Sequence, residues 1–545
     1  MSNRNFFILL FLAIVVYAFN LRLDVMQVDA GQYAEMSWEM LSTKSFIHVH
    51  CLGGDYLDKP PLLFWLNSLS MFVLGVNNVS YKLPSMLFAL LAVYSTYRFT
   101  KIYYEEKIAR TAAIMLATSQ AVFLITNDVR TDTMLMGAVI FSIWHFAEFF
   151  ESSKSKNLLL GSFGLALALL AKGPIGLIAT GAAIFPQLLL KRKLKQLFDW
   201  RIFTGLAVVL LMLLPMCIGL YQQFGTKGLT FYFWTQSFGR ITGQSEWNNH
   251  PDTFFLVHTT IWAFAPWSLF FFAGWLRGLF VFIRSRFSLA GQTEIISLVG
   301  FTLVLIALML SKYQLPHYIF VVYPLAAVIA AKCFFEANSW LRARQVLSVL
   351  QIIILVVLAL ISALLQWAFK GIEPISLTCL IVLYPMAIWL AIMLNKGVKN
   401  YSSLFYLSAT IAIVFNFLLN SFYFPEILKY QVQNDFGRYV KANANNNFVC
   451  YHSFSDFSFV FYSRQKPIAT LWSREDFRNI LKQKNELVVY TSQHGLDELS
   501  ADNIPYTIIE KREGFAVSGL TLQFLNPATR EEACEKFYLL NVKRP

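Results

Sequence analysis

Charge is scarce in this sequence: Asp, Glu, Lys and Arg make up 14% of its 545 residues, against roughly 25% in soluble proteins. That shortage excludes a water-soluble globule, and the 57% hydrophobic content supplies the reason, a lipid solvent. Acidic residues are the scarcer sign, 32 against 45 Lys and Arg, and the net charge of +13 raises the question of nucleic acid. The basic residues lie in short clusters between apolar runs, as in cytoplasmic loops, so membrane lipids are the expected surroundings and no nucleic acid is expected. Cysteine is scarce too, at six. Cys217, Cys333 and Cys379 fall inside apolar runs, and nothing pairs them at metal-ligand spacing. Cys450 and Cys534 share the C-terminal part, where an extracytoplasmic location would permit a disulfide. There is no low-complexity segment, no solenoid-length repeat and no inverted repeat of the kind many transporters carry.

What the sequence has in abundance is apolar runs of membrane-spanning length, about 20 residues each. They fall near 6–23, 81–100, 108–126, 133–150, 157–171, 174–190, 202–222, 254–276, 294–311, 316–335, 346–368, 375–395 and 402–422. No small-residue cleavage site follows the first, so it reads as a retained signal anchor. About thirteen spans from a cytoplasmic N-terminus place Lys101 and Lys107, Lys154 and Lys156, Lys191 to Lys195, Arg284 and Arg286, Arg342 and Arg344, and Lys396 and Lys399 in loops on the inside. Every inner loop is then basic, as the positive-inside rule requires. Past residue 423 the apolar runs shorten, and Phe448–Tyr451, Glu486–Tyr490 and Tyr506–Ile509 read as strands. The expected organisation is a polytopic α-helical membrane part, 1–423, and a small extracytoplasmic α/β domain, 424–545.

The outer loops at 24–80 and 223–253 are too long for connectors, and long ordered loops carry function. The first holds Asp29, Tyr33, Glu35, Tyr56 and the pair Asp58-Lys59; the second holds Arg240 and His250. Asp132 opens the fourth span, Lys172 precedes Gly173-Pro174, and Lys312, Tyr313, Pro316 and Tyr318 lie between the ninth and tenth spans. Each has a plain structural role open to it: a helix N-cap for Asp132 or Asp128, a snorkelling Lys172, a helix start at Pro316. As a group, acids Asp29, Asp58 and Asp132 and cations Lys59, Lys172, Arg240 and Lys312 share one side of the membrane. That grouping points to an anionic, lipid-borne substrate, with phosphate the natural partner for several cations.

The ordered set Asp29-x-x-x-Tyr33-Ala-Glu35, Tyr56-x-Asp58-Lys59-Pro-Pro-Leu-x-x-Trp65-Leu, Thr131-Asp132, Lys172-Gly-Pro and Leu315-Pro-x-Tyr318 resembles the aminoarabinose transferases of lipid A modification. More broadly it resembles bacterial membrane glycosyltransferases related to protein O-mannosyltransferases, with the GT-C fold. The resemblance, over about residues 5–425, implies inverting transfer of a sugar from a polyprenyl-phosphate donor to a lipid A, other lipid, glycan or protein acceptor. The reaction is expected on the outer face of the bacterial cytoplasmic (inner) membrane. It implies that Asp29 and Asp132 occupy the acidic catalytic positions and that Lys59 and Arg240, with Lys172 and Lys312, hold the donor phosphate. Tyr33, Glu35, Tyr56, Asp58, His250, Tyr313 and Tyr318 are expected to contact substrate. Two departures stand out: where the family reads Asp-Glu-Ala-Arg-Tyr this chain reads Asp29-Ala-Gly-Gln32-Tyr33, and its Glu-Lys-Pro-Pro is Asp58-Lys59-Pro60-Pro61.

No cofactor is expected. A divalent metal near Asp58 or His250 is chemically compatible, but no ligand spacing is diagnostic. The rival function, a transporter or flippase of a lipid-linked anion, calls for midplane charges and repeated halves, and neither is seen. A scaffold whose C-terminal domain binds partners leaves the charged outer loops unexplained.

Overall fold

The computed structural model describes residues 1–236, 239, 249, 251–289, 293–337, 341–369, 374–395, 402–443, 447–453 and 457–544. Each apolar stretch of the sequence is helical. The first ten numbered helices are α1 (Asn3–Asn20), α2 (Asp29–Thr43), α3 (Leu62–Leu74), α4 (Asn78–Tyr103), α5 (Glu106–Ala117), α6 (Gln120–Ile125), α7 (Thr131–Ser152), α8 (Ser155–Lys172), α9 (Ile175–Leu190) and α10 (Arg201–Phe224). Helices Phe255–Ala263, Ser268–Arg284, Ile296–Met309, Tyr323–Ala337, Leu341–Ala368, Pro374–Leu394 and Ser402–Leu418 complete the membrane part. Among the described residues seven helical segments are long and apolar enough to cross a membrane: Asn3–Asn20, Thr131–Ser152, Arg201–Phe224, Pro316–Ala337, Arg344–Ala368, Pro374–Leu394 and Ser402–Leu428.

Seven is fewer than the thirteen stretches read from the sequence, for identifiable reasons. The stretch at 108–126 breaks between α5 and α6, and the one at 254–276 breaks at Phe264–Trp267, where Pro266 cannot donate to a continuing helix. Ile175–Leu190 and Ile296–Met309 are short, and α4 carries Lys82, Arg98 and Lys101 along its length. Residues 24–80, read as one outer loop, fold into α2, a hairpin of β1 (His50–Cys51) and β2 (Gly54–Asp55), and α3.

Close backbone approach sets the helix packing around the site. A Cβ on Gly137 of α7 would lie 2.5 Å from the carbonyl oxygen of Phe88 on α4, and one on Gly164 of α8 would lie 2.8 Å from the Phe141 ring of α7. Small residues are the usual means of bringing membrane helices together, because lipid tails compete with any apolar side chain. The Ser142 hydroxyl adds a 2.8 Å hydrogen bond to the Gly161 carbonyl between the same two helices.

After residue 447 the chain forms a five-stranded sheet of β3 (Phe448–Tyr451), β4 (Thr470–Leu471), β5 (Glu486–Ser492), β6 (Tyr506–Gly514) and β7 (Glu535–Lys543), in the order β4-β3-β5-β7-β6. β3 runs parallel to β4 and β5, while β7 is antiparallel to β5 and β6. All four residues of β3 are buried, as expected of a parallel strand covered on both faces. Phe448 and Cys450 pack on one side with Phe436, Phe459 and Tyr490; Val449 and Tyr451 pack on the other with Phe477, Leu481 and Leu499. Cys450 and Cys534 are both free thiols.

The sheet domain is fastened to the folded segment 24–80. Lys466 pairs with Glu39 of α2 at 2.6 Å, the Tyr462 hydroxyl donates to Asn78 at 2.8 Å, and Arg464 donates to the Val76 carbonyl at 3.0 Å. Arg438 pairs with Asp24, and a Cβ on Gly31 would lie 3.2 Å from the Ser458 amide nitrogen. Thus α2, whose first residue is Asp29, is held from both the membrane helices and the sheet domain.

Candidate active site

Two ion-pair networks meet where α2, α7 and α8 converge. In the first, Arg130 joins Asp29 at the start of α2 to Asp128 in the preceding turn, with its Nε 2.7 Å from the Asp128 carboxylate. In the second, Lys172 at the last position of α8 reaches Asp132 in the first turn of α7, Nζ to Oδ1 2.5 Å. The His317 Nε2 lies 3.7 Å from the other Asp132 oxygen. Lys172 Nζ also sits 3.8 Å from the centroid of the Tyr318 ring. A cation over an aromatic face is attracted by the ring quadrupole, so Tyr318 holds Lys172 in addition to the Asp132 carboxylate.

The networks adjoin. Arg130, Lys172 and Lys59 all act electrostatically on His317, while Tyr56, Asp29, Arg130 and Asp58 act on Tyr33. Burial first, then Tyr56 and Asp29, push the Tyr33 hydroxyl well above its ordinary pKa, so it stays a neutral donor. Lys59 pairs with its neighbour Asp58, whose backbone carbonyl accepts from the Gln236 amide. The Tyr33 and Tyr56 rings both lean on Phe64 of α3, at 5.8 and 6.4 Å.

Exposure separates the two acids expected to be catalytic. The Asp29 side chain is 36% exposed and Asp132 only 3%. Asp29 can meet a substrate, whereas Asp132 is enclosed by Lys172 and His317. Neither Asp132 nor Asp128 caps a helix: the residue before α7 is Arg130, and no side chain caps that end. Pro316 does open a helical turn, Pro316–Val322.

The remaining expectations divide. Tyr313 lies 6.5 Å from the Tyr318 ring, within the same segment. Lys312 is exposed, and its carbonyl accepts from the Asn249 amide at 3.3 Å. Asn249 also donates to the Gln314 carbonyl at 2.7 Å, which ties the second outer loop to the 312–318 segment. Arg240 and His250 lie outside the described residues. Glu35 is fully buried and faces the Leu52 amide and Glu39. The periodicity of α2 explains this, because Glu35 and Glu39 fall four apart on the face turned to the hairpin.

Three residues of the cluster were absent from the sequence-derived site: Arg130, Asp128 and His317. Their signal was present in Asn127-Asp128-Val129-Arg130-Thr131-Asp132, a cation between two acids in a turn bounded by apolar helices, and in the histidine beside Tyr318.

The Glu35–Glu39 pair predicts a pH dependence of stability. Burial, then the Glu39 charge, push Glu35 well above the carboxylate range. Burial opposes the ionisation of Glu39 as well, but Lys466, a hydrogen bond from Glu35 and the Gly53 amide hold its pKa below the ordinary value. Folded Glu35 therefore keeps a proton that the unfolded chain releases near pH 4.3, by roughly the model-peptide value. Its stabilising contribution is complete below that pH and is lost as pH rises through its raised pKa. Thermal midpoints across pH 4.5–9 should fall on the alkaline side, and Glu35→Gln should flatten that fall. The Glu39 contribution runs the other way and is lost on acidification.

A family described as dolichyl-phosphate-mannose-protein mannosyltransferase matches residues 58–218, the stretch holding Lys59, Arg130, Asp132 and Lys172. An uncharacterized protein of Aquifex aeolicus is 28% identical over 337 residues, 60% of this chain and 72% of its own. The undecaprenyl phosphate-alpha-4-amino-4-deoxy-L-arabinose arabinosyl transferase of Yersinia enterocolitica is 25% identical over 381 residues, 68% of this chain and 66% of its own. Crystalline ArnT from Cupriavidus metallidurans bound to undecaprenyl phosphate superposes with a TM-score of 0.73 over 97% of both chains at 15% identity. With the motif order in the sequence, the paired acids and cations at one end of the helices and this shared architecture, the chain is a multi-pass membrane glycosyltransferase of the GT-C fold.

Proposed function

We propose that the protein moves a sugar from a polyprenyl-phosphate carrier to a lipid, glycan or protein acceptor at the outer face of the bacterial cytoplasmic membrane, inverting the anomeric carbon. The observation that carries this reading is the partly exposed Asp29 paired with Arg130, in a cluster whose other cations, Lys59 and Lys172, act with Arg130 on His317. The ligand in the Cupriavidus metallidurans structure, undecaprenyl phosphate, supports the choice of donor. So does an apolar groove of about 680 Å³ lined by Leu41, Phe46, Trp65, Leu69 and Phe72, suited to a prenyl chain. The basic inner loops support an inside N-terminus and a sheet domain outside.

Lys59 offers the donor phosphate its charge by exchanging the Asp58 carboxylate for a phosphate oxygen. As the glycosidic bond breaks, negative charge grows on that oxygen, and preplaced cations stabilise it more than they stabilise the bound donor. Asp29 faces the acceptor. It takes the proton of an attacking hydroxyl, or orients an acceptor phosphate that already carries its charge. Asp132 acts through Lys172, fixing the ammonium in place, and is a positioning residue. The test follows label from radiolabelled polyprenyl-phosphate sugars into lipid, glycan and protein fractions of membranes holding the parent or Lys59→Met chain. Transfer should appear in one fraction with the parent. It should fall by about 10- to 1,000-fold with Lys59→Met, as on loss of one transition-state donor. Donor that crosses the membrane without transfer would replace this reading with a flippase.

A further inference from the structure

The sheet domain carries a second cluster that sugar transfer does not use. Strands β4, β3 and β5 are parallel neighbours in that order, so the chain leaves β3 first toward β4 on one side and later returns as β5 on the other. Helix Phe457–Ser463 covers one face of the sheet and helix Arg474–Gln483 the other. This reversal falls at the carboxyl ends of β3 and β5, the position where open α/β sheets bind ligands. His452 follows β3 directly, Trp472 follows β4, and His494 and Glu498 lie one turn apart on the helix Gln493–Ala501 that follows β5.

The ligand atoms of His452, His494 and Glu498 all lie within 4.8 Å of one another. His452 Nε2 is 2.9 Å from Glu498 Oε2, and His494 Nε2 is 3.6 Å from Oε1. The two imidazole rings stand 4.5 Å apart at 73°. Gly495 permits the approach: a Cβ there would lie 3.1 Å from the Tyr451 ring and collide with the Thr491 hydroxyl. Tyr451 donates to Glu498 Oε2, and Arg474 Nε is 3.0 Å from Oε1.

We propose that His452, His494 and Glu498 form a binding site for a divalent transition metal of the zinc class, with one coordination position open to solvent. Two imidazoles and a carboxylate are the borderline donor set such ions take, and three protein ligands leave a fourth place for water or substrate. The His494 side chain is 68% exposed, which gives the ion an entry path. Tyr451 and Arg474 then serve as the outer hydrogen-bonding partners that ligating carboxylates keep. Coordination uses the Nε2 lone pair of His452, so its ring carries the remaining proton on Nδ1. A purely structural salt bridge explains the Arg474–Glu498 contact but not the convergence of two histidines at the carboxyl ends of β3 and β5.

Full-length protein in detergent, stripped of metal by chelation and desalting, should bind one Zn²⁺ per chain in calorimetric titration, and Co²⁺ should give visible absorption of a four-coordinate ion. His452→Ala with His494→Ala should abolish that site, and the near-isosteric Glu498→Gln should weaken it at least about 10-fold. Matching thermal midpoints of the metal-free forms would show that the fold persists. Should the double variant fail to fold, Glu498→Gln alone decides. Absence of binding by the parent, or binding unchanged in these variants, overturns the site.

Discussion

A Lys172→Met chain is expected to lose about 3–5 kcal/mol of stability, the usual result of removing one partner from a buried ion pair. Asp132 would be left with 3% of its side chain exposed and no ammonium beside it, and the Tyr318 ring would lose the cation that lies over it. The thermal midpoint in detergent measures the loss. Adding Asp132→Asn to Lys172→Met removes the stranded charge and should return most of the stability without returning transfer, because the ammonium is still missing. Two single changes that add rather than offset would show that the residues do not act as a pair.

Asp29→Asn is expected to do the opposite: leave the thermal midpoint nearly unchanged and reduce transfer to a hydroxyl acceptor by about 10²- to 10⁴-fold, the range for loss of a general base. Asp29 is partly exposed, and Arg130 retains Asp128 when the Asp29 charge is removed. With a phosphate acceptor no proton has to leave, so the same substitution should cost far less. Parallel assays with the two acceptor classes therefore report both the role of Asp29 and the chemistry of the acceptor. Full activity on every acceptor would take Asp29 out of the mechanism.

Much of this arrangement was legible because membrane solvent makes sequence patterns literal. Apolar runs became helices, and the strands expected at 448–451, 486–490 and 506–509 fall within β3, β5 and β6. Of the acids and cations grouped on one side, Lys172 pairs with Asp132 and Lys59 with Asp58. Which charge meets which was not legible. Lys172 and Asp132 are 40 residues apart, and only the approach of α7 to α8 through Gly161 and Gly164 decides that Lys172 meets a protein carboxylate rather than a substrate. The breaks in the third and eighth apolar stretches were masked by unbroken apolarity, although Pro266 marked the second of these breaks. That Glu35 faces the hairpin at the Leu52 amide was likewise not visible from its nearness in sequence to Asp29 and Tyr33. Strands β4 and β7 were missed, β4 for its two-residue length and β7 for the polar residues at its ends.

The attachment of the sheet domain to α2 also bears on the order of biosynthesis. Lys466 and Glu39 are separated by 427 residues of sequence, and contacts of such separation are slow to form because they close so long a loop. The helix that presents Asp29 thus gains its contacts from the sheet-domain side only after nearly the whole chain has been made and inserted. A nascent or truncated chain would hold Asp29 from one side alone, through Arg130, so full competence for transfer would mark a finished molecule.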